Sequence, residues 1–127
     1  MTTTGTTERT RPMNSNPRFL QGVFSFEGRG LDAPFLLDPA LTYVVPHDTE
    51  AQLVYFRGGN ATDELVTAIV MRDGAPMRWF PIGARSGTHV ALRVVEDLLA
   101  DTRVEVHLAA PQGAGQVVID LGLVEVG

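Results

Sequence analysis

Two apolar runs meet at Asp73-Gly74, and that junction limits the folds open to the chain more than any other stretch. Asp-Gly between alternating hydrophobic segments is a strong short-range signal for a two-residue hairpin, because both central residues must take positive φ. The run before it, Glu64 to Arg72, is too short and too rich in Val, Ile and Thr for a helix. The run after it, Met77 to Ile82, opens behind Pro76. Upstream, Gln52 to Arg57 is apolar on both alternating faces, which predicts a central strand with Leu53, Tyr55 and Arg57 on one side and Gln52, Val54 and Phe56 on the other. Gly58-Gly59-Asn60 then supplies a turn or bulge.

The same rhythm runs through the rest of the chain. Leu20 to Glu27 predicts a strand ended by Gly28-Arg29-Gly30. Pro34 and Pro39 frame an irregular segment, and Leu41 to Val45 predicts a short strand stopped by Pro46. Thr88 to Val94 places Val90, Leu92 and Val94 inward and His89, Ala91 and Arg93 outward. Val95 to Ala100 is the one candidate helical turn. Val104, Val106 and Leu108 alternate with Glu105 and His107, Pro111 to Gly115 reads as a turn, and Val117 to Val126 closes the chain. About eight short strands with turns every 8 to 12 residues predict an all-β antiparallel β-sandwich, jelly-roll or Ig-like, with at most one short helical turn. Residues 1–17, Thr-rich and without an apolar stripe, are expected to be a disordered N-terminal arm, and residues 18–127 a single β-sandwich domain. Met13 offers a second candidate start.

Composition removes whole classes of chemistry. The 127 residues include no Cys, so thiolate nucleophiles, disulfides and the common zinc motifs are absent. All ten basic residues are Arg, which excludes a Schiff-base or P-loop lysine. A net charge of −5 with no basic block argues against a nucleic-acid partner. No apolar run approaches the roughly 20 residues that span a bilayer, and the first residues lack the apolar stretch of a signal peptide. The expectation is a cytoplasmic protein with no membrane partner and no cofactor.

No catalytic constellation emerges. Ser86 lacks the glycine spacing of a nucleophile elbow. The neighbouring acids Asp63-Glu64 and Glu96-Asp97 point to opposite faces of an extended chain. Binding features are more promising. Arg57 ends an apolar strand beside Gly58-Gly59, where a ligand can approach closely, and Asn60 adds a forked donor and acceptor. Arg78, Trp79 and Phe80 place an aromatic ring beside Arg on an arm of the hairpin, a composition favoured at binding hot spots. His89 and His107 are the candidate metal pair: antiparallel pairing of their strands through the 95–103 connection would set them about 5 Å apart at Cβ. His47-Asp48 would add a third ligand.

From Ala51 onward, the RDGAPM hairpin and the HVALRV, VEVHLAAP and VVIDLGLVEV strands resemble the jelly-roll sandwiches of carbohydrate-binding modules and galactose-binding-like domains. The resemblance implies a sugar bound on an exposed aromatic platform, for which Trp79, Tyr43 and Tyr55 would be the available rings. The blocks AQLVYFRGGN, DELV, RDGAPMRWFPIG and VVEDLL also resemble short bacterial proteins that carry the label molybdopterin oxidoreductase. For a chain this short, with neither Cys nor Lys, that resemblance implies an accessory partner of such an enzyme. The expected function is a non-enzymatic binding or protein-interaction module, with a protein partner or a second copy of itself as the expected contact. An oxidoreductase subunit and a carbohydrate are the alternative partners.

Overall fold

The computed structural model describes residues 15–127. The Asp73-Gly74 hairpin forms as expected: the strands β4 (Val66–Arg72) and β5 (Ala75–Ile82) pair antiparallel. Asp73 and Gly74 both have positive φ, 49° and 83°, the backbone of a twisted two-residue turn. Asp73 is also tied down across the sheet. Its backbone N–H donates to Arg103 O (2.9 Å), and its carboxylate accepts from Arg103 N (2.8 Å).

Arg103 begins the element on which the sheet is built. β7 (Arg103–Val126) is one 24-residue strand. On one edge it pairs with β4 through Val104–Ala109 and with β3 (Glu50–Asn60) through Val117–Val126. On its other edge lie β1 (Ser15–Leu36) and the short β2 (Thr42–Val44). β5 extends the sheet beyond β4, and β6 (Gly87–Ala91) extends it beyond β3. The result, among the described residues, is an antiparallel sheet of seven strands in a curled arrangement, not about eight short strands, because β7 runs on where two strands were expected. No helix in it is long and apolar enough to cross a membrane.

Curling brings the inner faces of β3 and β5 together. Phe56 of β3 stacks on Phe80 of β5 with ring centroids 4.3 Å apart and planes within 7°. Around them pack Val104, Val106, Leu108, Ile119, Leu121 and Leu123 from the inward positions of β7. The predicted alternation over 104–108 therefore holds, with the three apolar residues fully buried.

Several expectations are corrected. Residues 15–17, assigned to the arm, belong to β1; the rest of the arm, and Met13, lie outside the described residues. Gly28-Arg29-Gly30 does not end a strand, and Pro111 to Gly115 is not a turn between two strands. Both stretches are bends inside paired strands, marked by register shifts after Gly28 and Gly30. Gly28 is required there, because a Cβ would collide with the Pro111 carbonyl. Val95 to Ala100 is not helical; among the described residues the single 3-10 turn is Pro39–Leu41, opened by Asp38, whose carboxylate accepts from Ala40 N. β3 runs through Gly58-Gly59-Asn60 and carries its bulge earlier, between Leu53 and Tyr55. That extra residue resets the alternation, so Leu53 and Phe56 both face the core while Val54 and Arg57 are exposed. Val94 is exposed rather than inward.

Because Phe80 fills the interior and its neighbour Trp79 is 59% exposed, truncating them should give opposite results. Phe80→Ala is expected to lower unfolding free energy by about 3–5 kcal/mol, and Trp79→Ala by less than about 1 kcal/mol, both read from urea denaturation midpoints.

Candidate functional site

The residues singled out in the central block separate once the chain is folded. Arg57 remains at the surface. Asn60 does not: it is only 4% exposed and every polar atom of its side chain is engaged. Its amide nitrogen donates toward Glu64 O (2.8 Å), Ile82 O (3.0 Å) and Gly83 O (3.1 Å). Its oxygen accepts from Thr62 N (2.9 Å) and Thr62 Oγ1 (2.8 Å). Asn60 thus clamps the β3–β4 loop to the end of β5 and has no group left for a ligand.

The Arg78-Trp79-Phe80 cluster also comes apart. Phe80 is in the core. A register shift beside Met77 lets that side chain pack against the interior. Arg78 reaches Glu96 at 2.8 Å and Arg72 reaches the other oxygen of the same carboxylate at 3.5 Å. One acidic side chain thereby straps the β6–β7 connection to the hairpin. Trp79 alone faces outward, in register with Ile69, beside a small buried cluster of Ile69, Met71 and Ala109 on the outer face of β4 and β7.

The histidine pair does not form, because β6 pairs with β3 and not with β7. His89 lies in register with Arg57, while His107 lies in register with Ile69 and bonds to Glu105 at 3.2 Å. His47 sits near Asp48 and Asp101 in a separate turn region. Among the described residues no three His, Asp or Glu side chains are grouped to hold a metal ion.

What does assemble is a patch around Arg57 on the outer face of β6, β3, β7 and β1. The registers place His89, Arg57, Asp120 and Gln21 in one row across these four strands. The next row is Ala91, Tyr55, Gly122 and Phe19. The Tyr55 hydroxyl donates to one Asp120 oxygen (2.8 Å), and Arg57 lies 4.0 Å from the other. The Tyr55 ring lies flat over Gly122, where any Cβ would strike it, and meets the His89 ring edge-on at 6.2 Å. Gly59, Gly87 and Val118 complete a shallow depression of about 580 Å³ with Arg57, His89 and Asp120. Burial and the hydrogen bond to Asp120 raise the Tyr55 phenol above its ordinary value.

Sequence reasoning found Arg57 and His89 but missed Asp120, Gln21 and Phe19 as their neighbours. Asp120 is the only charge in the apolar run Val117–Val124 and falls on an outward position, which is the signal that was available.

A second carboxylate network closes one end of the interior. Glu125 is 5% exposed; it accepts from the Tyr43 hydroxyl and pairs with Arg18 at 3.1 Å. Burial first, then the hydrogen bond to Glu125, pushes the Tyr43 phenol well up. Tyr43 is therefore an anchoring ring, not a platform.

No protein-family model and no curated protein matches the chain. A chain in the structure of infectious bursal disease virus Gt strain is similar to 90% of this chain, with 9% identity and a TM-score of 0.49; the match spans 33% of that chain.

Two outcomes follow. Asn60→Ala should cost about 2–3 kcal/mol in chemical denaturation, because it strands buried carbonyls and the Thr62 donors. Both tyrosines hold their protons more tightly in the folded state than in the unfolded one. Their stabilisation is thus complete below about pH 10 and is lost as pH rises through the folded values. A phenolate absorbance titration of the native protein should place both steps above that of a free phenol, the Tyr43 step the higher of the two, and Tyr43→Phe should remove most of the alkaline loss of stability.

Proposed function

We propose that the protein is a non-enzymatic binding module that holds a neutral, polyhydroxylated ligand of the saccharide class over Arg57, Tyr55, His89 and Asp120. The observation that carries this reading is the pairing of two rows, one polar and one aromatic, on an open sheet face. Arg57 offers forked donors and Asp120 offers acceptors, so hydroxyl groups of either sense find partners. Their charges offset each other, which disfavours a phosphate or carboxylate ligand. Tyr55 and Phe19 flank Gly122 in the neighbouring row and provide apolar surface for the C–H faces of a sugar ring. In this reading the curled sheet is a β-sandwich of jelly-roll type; the stacking of Phe56 on Phe80 across the interior supports it.

A second reading, docking of a protein partner, is favoured by Trp79, a large ring left exposed on the opposite part of the sheet. An oxidoreductase subunit is one partner that this surface would serve, in a cytoplasmic setting.

The saccharide reading is tested by screening the full chain on a glycan array, followed by calorimetry with any neutral oligosaccharide that binds. Arg57→Ala and Tyr55→Ala are each expected to weaken binding about tenfold or more, as for loss of one charge-assisted hydrogen bond or one stacking ring. An array without hits defeats the saccharide reading. Recovery of a molybdenum enzyme in co-purification that is lost with Trp79→Ala would establish the second.

A further inference from the structure

The sheet leaves three strands of more than three residues at its margins, and they are protected very unequally. β5 carries Pro76 and Pro81, which lack the N–H needed to pair with a further strand. β6 is only five residues long. β1 has neither safeguard. It pairs with β7 alone, so over Ser15–Gly28 its second edge carries unpaired backbone donors and acceptors among the described residues. Its stretch Phe19–Phe26, FLQGVFSF, contains no charge and no Pro. On its outer face Phe19 is 51% and Val23 62% exposed.

We propose that this edge pairs with β1 of a second copy of the chain, antiparallel about a two-fold axis through Gln21. The register follows from three constraints. For the outer faces of both copies to join into one surface, outward residues must oppose outward residues, and these are the odd-numbered ones from Phe19 to Glu27. The straight part of β1 ends at the register shift after Gly28, and pairing centred on Gln21 uses the whole segment Ser15–Glu27. In that register Phe19 of each copy faces Val23 of the other, an aromatic opposite a β-branched residue at both ends of the seam. Charge is accommodated too: Glu27 faces Ser15, and Arg18 faces Phe24, so no like charges oppose.

At about 3.4 Å per residue the seam is about 44 Å long. A seam of one strand edge with its flanking side chains is small for a protein–protein interface, which suits a reversible dimer. The assembly would be an eight-strand continuous face, β6-β3-β7-β1 joined to its symmetry mate. It would set two Arg57 patches on one surface, five strand spacings or about 24 Å apart. The inference does not rest on the saccharide reading: a chain that binds no sugar can still dimerise, and a monomer can still bind one.

Light scattering and sedimentation of the full chain over a wide concentration range test it. The wild type should pass from one chain mass to two, and Val23→Lys should remain at one with an unchanged melting temperature, since Val23 is exposed. Because the chain has no cysteine, Gln21→Cys places a single thiol on the axis. Under mild oxidation it should give a covalent dimer faster than Ala91→Cys on the β6 edge. A wild type that is monomeric throughout, a Val23→Lys variant that still doubles in mass, or equal cross-linking at positions 21 and 91 would each overturn the proposal.

Discussion

The structure depends on one strand satisfying neighbours on both edges in each of its two halves. β1, β2, β3 and β4 all hydrogen-bond to β7, and the two remaining strands attach through β3 and β4. A strand shared in this way cannot slip by one residue without turning its inward valines and leucines to solvent in both halves at once. The interior residues Val104 to Leu108 and Val117 to Leu123 are thus also the register marks for every other strand. The outward residues of the same strand inherit their positions from that lock, which is why Asp120 comes to lie between Arg57 and Gln21.

The bend between those halves is where local sequence and global fold disagree most. Pro111, Gly113 and Gly115 would ordinarily punctuate a strand, as would Gly28 and Gly30 in β1. Here the two irregular stretches lie opposite each other, and the backbone groups on either side remain paired. Glycine at position 28 lets the chains approach where a side chain would block them. Both strands therefore turn a corner together instead of ending.

Much of the fold was legible in the residues. The Asp73-Gly74 hairpin and the alternation of Val104, Val106 and Leu108 are local signals whose meaning does not depend on distant partners. The unreadable parts were those decided by pairing. The bulge at Val54 reverses the phase of β3 and moves Phe56 to the core, and no residue type at that position announces it. Asn60 looked like a surface donor because a Gly-Gly-Asn run commonly turns; its burial depends on carbonyls at Glu64, Ile82 and Gly83 arriving from two other segments. Trp79 and Phe80, adjacent in sequence, could be assigned to core and surface only once the curl placed Phe56 against one of them. In the patch, Arg57 was visible as a charge at the end of an apolar strand. Its partner Asp120 lies on a strand far along the chain, so their proximity is a product of topology.

The pairing of the first described strand with the last has a kinetic meaning. Ser15 meets Val126, so during synthesis β1 waits for nearly the entire chain before its partner exists. Contacts of such long sequence separation form slowly, and among the described strands the hairpin of β4 and β5 is the pairing able to form early from neighbours alone. Through that interval the uncharged segment Phe19–Phe26 is exposed on both edges, not one. The stretch that would join two finished molecules is thus also the stretch at which unfinished ones would aggregate, and it stays open until β7 arrives to cover it.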